Sequence, residues 1–395
     1  MAFDPIVIVG AARTPMGGML GDFASVSASE LGGASIKAAI ERSGLDSAHV
    51  DELLMGNVLS AGQGQAPARQ AGFHAGLDKN VPAVTLNKMC GSGLKAVMMA
   101  HDQLRAENGD VIVAGGMESM TNAPHMLPSM RKGSRLGHTQ VIDHMMQDGL
   151  EDAYDKGRAM GTFAEDCAQK YQLSRQAQDD YALTSLSRAK QAQENNSFAK
   201  EITPVTVKGR KGDVIVEIDE QPGNAMPDKI PNLRPVFKKD GTVTAANASS
   251  ISDGAASLVL MRESDARAKG ANIQARIVAH ASHSHEPQWF TTAPVQAMHN
   301  VLAKAGWQIN DVDLWEVNEA FAVVPMAAMA ELGMDHSIVN VNGGATALGH
   351  PIGASGARIL VTLLHAMQER DKQTGVASLC IGGGEGVAIA IEQAN

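Results

Sequence analysis

The feature that most restricts how this chain can fold is an echo between two distant stretches. Met89-Cys90-Gly91-Ser92-Gly93-Leu94-Lys95-Ala96 opens an apolar helical pattern and is followed by Val111-Ile112-Val113-Ala114-Gly115-Gly116. Much later, Pro351-Ile352-Gly353-Ala354-Ser355-Gly356-Ala357-Arg358 opens another and is followed by Ala377-Ser378-Leu379-Cys380-Ile381-Gly382-Gly383-Gly384. Identity between the two is weak, but the order is the same: small-residue turn, buried helix, strand, glycine turn. Small residues at a helix start let backbones approach closely. The pattern therefore predicts a duplicated α/β domain, and 395 residues are more than one core usually serves. Ile6–Val9 and Val111–Ala114 read as buried strands. Ser27-Ala28-Ser29-Glu30 has capping-box spacing and opens a helix carrying Leu31, Ala34, Ala38 and Ile40. Strands separated by helices imply βαβ units and mainly parallel sheets.

The stretch from about Met120 to Asn247 reads differently. It is polar, with one convincing helix from Ser174 to about Gln193, basic groups at Arg131, Lys132, Arg135 and Lys208, Arg210, Lys211, and a Pro/Gly-rich passage from Pro222 to Pro231. We read it as an insertion whose charges face solvent. The expected division is an N-terminal domain of residues 1–119 plus about 248–270, a loop domain of 120–247, and a C-terminal domain of 271–395.

Composition excludes several classes of function. A net charge of −10 offers no large basic field for nucleic acid. The three cysteines Cys90, Cys167 and Cys380 make no disulfide framework and no CxxC zinc pair, which fits a reducing compartment. The longest all-apolar run, Ala320 to Ala330, is too short to span a bilayer. Met1 leads into Ile6–Val9 without the features of a signal peptide or organelle presequence, and Glu392-Gln393-Ala394-Asn395 is no peroxisomal signal. A soluble cytoplasmic enzyme without a membrane or nucleic-acid partner is the expectation.

Four places carry reactive chemistry. Cys90 stands at a helix start, where the positive end of the macrodipole favours a thiolate; the alternative is a buried structural cysteine. His350 lies between glycine turns, where a backbone-held imidazole serves as base or hydrogen-bond donor, or is simply a satisfied loop residue. Cys380 ends a strand before three glycines, whose consecutive N–H groups can face a developing oxyanion. Asn318, in Asn318-Glu319-Ala320-Phe321-Ala322, precedes an apolar helix and needs partners or a water if buried.

On these residues the chain resembles the thiolase family over nearly its whole length. Asn87 through Gly93, Asn318 through Ala322, Asn342-Gly343-Gly344 through His350 to Arg358, and Leu379 through Gly384 stand in the family's order and spacing. Val9 through Pro15, Gly115 through Met120, Asn247-Ala248-Ser249 and Asp253 through Ala256 agree as well. The resemblance implies a layered α-β-α-β-α arrangement of duplicated α/β domains with an inserted loop domain. It implies acyl-CoA and CoA as partners, no cofactor and no metal, and a homotetramer, with a dimer as the alternative. The implied activity is reversible Claisen condensation of two acetyl-CoA to acetoacetyl-CoA, or, alternatively, degradative cleavage of longer 3-ketoacyl-CoA chains. By the same resemblance Cys90 becomes acylated. His350 takes its proton and lines an oxyanion hole with a water held by Asn318. Cys380 moves the α-proton of the second acyl-CoA. The N–H groups of Cys90 and Gly382 form a second oxyanion hole. Ser249 and Phe237 lie along the CoA path, and Met160 and Phe321 near the acyl pocket.

The sequence departs from the family pattern at three points. Ala159 replaces a histidine common before Met-Gly-Thr in short-chain members. Asp219-Glu220 runs into Gln221-Pro222-Gly223-Asn224 without the usual basic residue, leaving Lys229 or Arg234 to meet the nucleotide end of CoA. Glu385 stands where biosynthetic members often carry Met; an ionised carboxylate there raises the Cys380 pKa unless it faces away, the reading we favour. His280, His283 and His285 cluster on a predicted strand, but their spacing mixes both strand faces and gives no ligand set.

Overall fold

The computed structural model describes residues 4–394. In chain order the main elements are β1 (Ile6–Arg13), α1 (Ala28–Ser43), β2 (Glu52–Gly56), β3 (Ala83–Leu86), α2 (Ser92–Arg105) and β4 (Val111–Ser119). The insertion contributes α3 (Met160–Lys170) and α4 (Arg175–Glu194). There follow β5 (Ser252–Arg262), β6 (Ala275–Ser284), α5 (Ala293–Ala305), β7 (Leu314–Val317), α6 (Val323–Leu332), α7 (Ser355–Glu369), β8 (Thr374–Ile381) and β9 (Glu385–Gln393). The helix read from the Ser27 box forms as expected: Ser27 Oγ accepts the Glu30 N–H at 3.3 Å and Glu30 returns the bond to the Ser27 N–H at 2.9 Å.

Nine strands of the ten-stranded sheet follow the order β7-β8-β9-β6-β1-β5-β4-β2-β3, and the tenth, Gly17–Gly18, pairs with β5. Read outward from the centre, the two halves repeat one pattern, with β3 added at the edge of the first. In one half β2 runs parallel to β4, which pairs antiparallel with β5 and then β1; in the other β7 runs parallel to β8, which pairs antiparallel with β9 and then β6. A short antiparallel contact, Ile6↔Ile277 to Ile8↔Ala275, joins the halves. The expectation of mainly parallel sheets is therefore wrong, and at β8–β9 the glycine turn is the reason. Gly382–Gly384 connects β8 directly to β9, and a connection that short permits only an antiparallel pair.

Strand alternation sorts the apolar side chains into layers. Ile6, Ile8, Leu258 and Leu260 face a core shared with α2, α7 and the C-terminal residues Leu379, Ile389 and Ile391. Val7, Val9, Val259 and Met261 face the opposite way, against α1. Val376, Cys380, Ala388 and Ala390 face the outer helices α5 and α6. The result is a five-layer α-β-α-β-α stack with α2 and α7 in the middle. They cross where a side chain would not fit: a Cβ on Gly93 would lie 2.8 Å from Ala357 N, and one on Gly356 2.4 Å from Leu94 N.

The insertion carries more order than the sequence reading allowed. Besides α4, capped by Ser174, it forms α3, which has no side-chain cap to announce it, and two small hairpins, His125–Met126 with Ile142–Asp143 and Val205–Val207 with Val214–Val216. No helix among the described residues is long and apolar enough to cross a membrane.

Candidate active site

The centre of the site is the tight loop between β3 and α2. Asn87 Oδ1 accepts the Met89 N–H at 2.9 Å, and Ser92 Oγ accepts the Lys88 N–H at 2.8 Å while donating to the Met89 carbonyl at 2.6 Å. These bonds hold Met89 at φ 46°, a left-handed conformation that a side-chain-bearing residue adopts only under constraint. Cys90 follows, half-buried, and packs against the apolar cluster of Val58, Leu59, Met120, Met145 and Ile352, the last lying two residues beyond His350.

Burial pushes the Cys90 thiol up to about 11, against the pull of the Gly382 and Cys90 N–H groups directed at its sulfur; the Glu118 charge adds to the rise. The expectation of a resting thiolate is thus reversed. The helix start and N–H groups favour the anion, but loss of solvent outweighs them. Cys380 lies on β8 with no exposed surface, and burial, then the neighbouring Cys90, holds its thiol well above the ordinary range. The influence of Cys90 on Cys380 puts the two sulfurs within electrostatic reach of each other.

His350 precedes α7 and is buried. Its backbone N–H is held by Ser252 Oγ at 3.2 Å, at the head of β5. Its Nδ1 lies 2.6 Å from Ser355 Oγ, whose hydroxyl donates to the Pro351 carbonyl at 2.9 Å. A serine has one proton to give, so with that proton spent on Pro351, Ser355 accepts from Nδ1–H. This assigns the tautomer: the Nε2 lone pair is free to take a proton. Burial, then the Arg358 charge, depresses the imidazole pKa to about 3, so it rests neutral. Nε2 makes no hydrogen bond to the protein, and neither do Oδ1 and Nδ2 of buried Asn318. Asn318 hangs from β8 through its N–H, which donates to the Ser378 carbonyl at 2.9 Å. Buried polar atoms without protein partners mark where a polar ligand or water is received.

Two buried carboxylates, given no role in the sequence reading, brace these loops. Glu118, at the end of β4, accepts from the N–H groups of Val58, Leu59 and Gly353 at 3.0, 3.1 and 2.9 Å, tying the His350 loop to the β2 turn. Glu319 accepts from Tyr181, Ser185, Asn340 and Thr346, fixing the position beside Asn318. Both lie inside quoted sequence blocks. What marks Glu118 is a carboxylate inside an otherwise small and apolar run, which needs several donors if buried; Glu319 follows the polar Glu316 and Asn318 and has no such signal.

The residues expected along the substrate path divide. Phe321 and Cys380 share one apolar cluster, with Met160 and Phe237 packed against it. The Phe237 ring meets Phe321 edge-on at 6.1 Å, and a Cβ on Gly382 would lie 3.6 Å from the Met160 sulfur. The Ser249 hydroxyl donates to the Ala320 carbonyl at 3.0 Å, which leaves its oxygen able to accept. Lys229 and Arg234 are both exposed. Glu385 forms an ion pair with Lys88, two residues before the nucleophile, so its charge is matched rather than turned on Cys380.

The fold and this arrangement agree with the comparisons. Family models described as "Thiolase, N-terminal domain" and "Thiolase, C-terminal domain" match residues 6–264 and 271–393. The chain belongs to the thiolase family. Among its relatives, the acetyl-CoA acetyltransferase of Escherichia coli is 52% identical over 391 residues, covering 98% of this chain and 99% of that protein. The acetyl-CoA acetyltransferase of Pseudomonas aeruginosa is 49% identical over 388 residues, 98% of each. The crystal structure of the Bacillus anthracis acetyl-CoA acetyltransferase superposes with a TM-score of 0.97 at 39% identity, covering 100% of both chains.

Proposed function

We propose that this chain is an acetyl-CoA acetyltransferase, joining two acetyl-CoA into acetoacetyl-CoA and free CoA and catalysing the reverse cleavage. The observation that carries this reading is a neutral cysteine under two N–H groups, beside a second buried thiol, in a chain whose full-length relatives bear that activity's name.

The chemistry follows from the protonation states. Cys90 rests as a thiol, so its attack on a thioester needs a base, and His350 Nε2 takes the proton as the sulfur adds to the carbonyl. The N–H groups of Cys90 and Gly382 receive the developing oxyanion. His350 then returns the proton to the leaving CoA thiolate, giving CoA thiol and acetyl-Cys90. A second acetyl-CoA places its thioester oxygen against His350 and the polar atoms around Asn318. Cys380, as the thiolate left once its own proton has gone to solvent, removes the α-proton; the same burial that makes the anion costly makes it a strong base. The carbanion attacks acetyl-Cys90, Cys90 leaves as thiolate, the proton held by Cys380 passes to it, and Cys380 regains its own proton from solvent, restoring the starting state. Met160, Phe237 and Phe321 would wall the acyl site, with residues 120–247 taking the CoA chain.

The names of the relatives favour the short-chain reading over degradative action on longer 3-ketoacyl chains. A chain-length series of 3-ketoacyl-CoA substrates tests it: acetoacetyl-CoA should be turned over best, and poor turnover beside longer chains would reject it. Incubation with acetyl-CoA followed by peptide mass spectrometry should find the acetyl group on the Cys90 peptide. Cys380→Ala should still acylate but not condense; normal condensation by that variant would mean another group moves the α-proton. We also propose a cytoplasmic location and a homotetramer, the latter supported by exposed Leu127, Met130, Leu136 and Val141 on the insertion; mass measurement in solution decides the oligomer.

A further inference from the structure

At the end of α2 remote from Cys90, three side chains that the reaction does not use come together. His101 Nδ1 lies 3.0 Å from Asp102 Oδ1, and His280 Nε2 lies 2.8 Å from that oxygen and 3.2 Å from His101 Nδ1. His101 and Asp102 belong to the last turns of α2, in the N-terminal half; His280 belongs to β6, in the other. The sequence showed His280 only beside His283 and His285, a set that makes no ligand face. Its partners come instead from a helix 179 and 178 positions away.

A divalent ion with imidazole and carboxylate ligands at about 2.0–2.1 Å holds its donor atoms roughly 2.9–3.4 Å apart, for octahedral through tetrahedral geometry. The triangle here, 2.8, 3.0 and 3.2 Å, is of that size. Without a metal, Asp102 Oδ1 and the two ring nitrogens stand in mutual contact, and the tautomers of the two rings decide which of the three pairs are hydrogen bonds. A cation among them would engage a lone pair from each. The site is also fixed and reachable: Lys304 Nζ donates to the His280 carbonyl at 3.0 Å, the His101 side chain is 7% exposed, and the Asp102 side chain is 59% exposed. Arg105, Lys95 and Lys304 face the histidines and oppose added positive charge, so affinity falls below that of a closed structural zinc site.

We infer that His101, Asp102 and His280 form a binding site for a transition-metal dication of the zinc type, completed by solvent on the open Asp102 side, which fastens the nucleophile-bearing helix to the C-terminal half. Two histidines and one carboxylate suit zinc, copper or nickel over magnesium or calcium. No ion is needed for the condensation chemistry derived above.

The test is calorimetric titration of Zn2+ into the full-length, chelator-treated protein with Cys90 carboxymethylated, so that the active-site thiol does not compete. One equivalent should bind and the melting temperature should rise with it. His280→Ala and Asp102→Asn should each weaken binding by more than the roughly 10–100-fold lost with an outer hydrogen-bond partner of a ligand, and should abolish the zinc-dependent rise in melting temperature. Both variants, without carboxymethylation, should keep wild-type turnover in metal-free buffer. If His280→Ala does not fold, Asp102→Asn decides alone, because its side chain is largely exposed. No saturable zinc binding, or equal binding by wild type and Asp102→Asn, would overturn the site and leave a proton-sharing network.

Discussion

Replacing Ser355 with alanine removes one oxygen that touches no substrate in the mechanism above, yet it should slow the first chemical step. Ser355 is fully buried, accepts a hydrogen bond from Nδ1–H of His350 at 2.6 Å and donates one to the Pro351 carbonyl at 2.9 Å. In Ser355→Ala the Nδ1–H has no acceptor. A buried donor left unpaired costs about 1–3 kcal/mol. The imidazole can escape that cost by moving the proton to Nε2, but that fills the lone pair which accepts the Cys90 proton. Either way, the working tautomer is disfavoured by the same amount. At about 1.36 kcal/mol per factor of ten, acylation should slow by roughly 5- to 150-fold. Single-turnover acetylation of Cys90, followed by quench and intact mass, measures that step directly. KM for acetyl-CoA should change little, and Ser355→Thr, which keeps the hydroxyl, should recover most of the rate. Acylation by Ser355→Ala within about two-fold of wild type, in a folded protein, would show that the serine does not set the tautomer and that the proton assignment is wrong.

Gly356→Ala places a Cβ 2.4 Å from the backbone nitrogen of Leu94, where no flexible side chain can yield; urea unfolding should show a loss of about 1–3 kcal/mol or more, and a neutral result would mean that α2 and α7 can separate freely. Glu118 gives a pH test. Burial, opposed by the N–H groups of Val58, Leu59 and Gly353, raises its pKa from the ordinary carboxyl value to about 7. The folded protein therefore holds this proton more tightly than the unfolded chain does. The stability it contributes is fully present below the unfolded carboxyl pKa and is lost as pH rises through about 7. Glu118→Gln cannot titrate, so the wild-type advantage in melting temperature should shrink between about pH 5 and pH 8; a constant difference would refute the linkage.

What could be read in the sequence, and what could not, follows from the range of the interactions. The Ser27–Glu30 cap and the loop from Asn87 to Ser92 are built from residues within five positions of each other, and their spacing shows them. The sign of the Cys90 shift was not readable, because the helix start is local but the desolvation comes from the β8 turn and the His350 loop packing over it. The Lys88–Glu385 pair, 297 positions apart, could not be seen either, so the favoured reading that Glu385 faces away from Cys380 came without its partner on the nucleophile loop. The three glycines after Ile381 were read only for their N–H groups; their other consequence, a hairpin, reversed the sheet direction expected from helix–strand alternation.

The echo carries further than its weak identity promised. Ser92 to Ser355, Gly93 to Gly356 and Val111 to Thr374 stand at one constant offset, at the starts of α2, α7, β4 and β8. The paired glycines are where the two helices touch, and the paired serines do equivalent work. Ser92 Oγ donates to the Met89 carbonyl and holds the loop of the nucleophile; Ser355 Oγ donates to the Pro351 carbonyl and holds the loop of the base. A duplicated unit thus brings two copies of one helix start face to face around a pseudo-twofold axis. Divergence then needs to change only the residues displayed there, a thiol on one copy and an imidazole on the other. The frame that aligns them was already required for packing, which is why the same small residues that predict the fold also flank the chemistry.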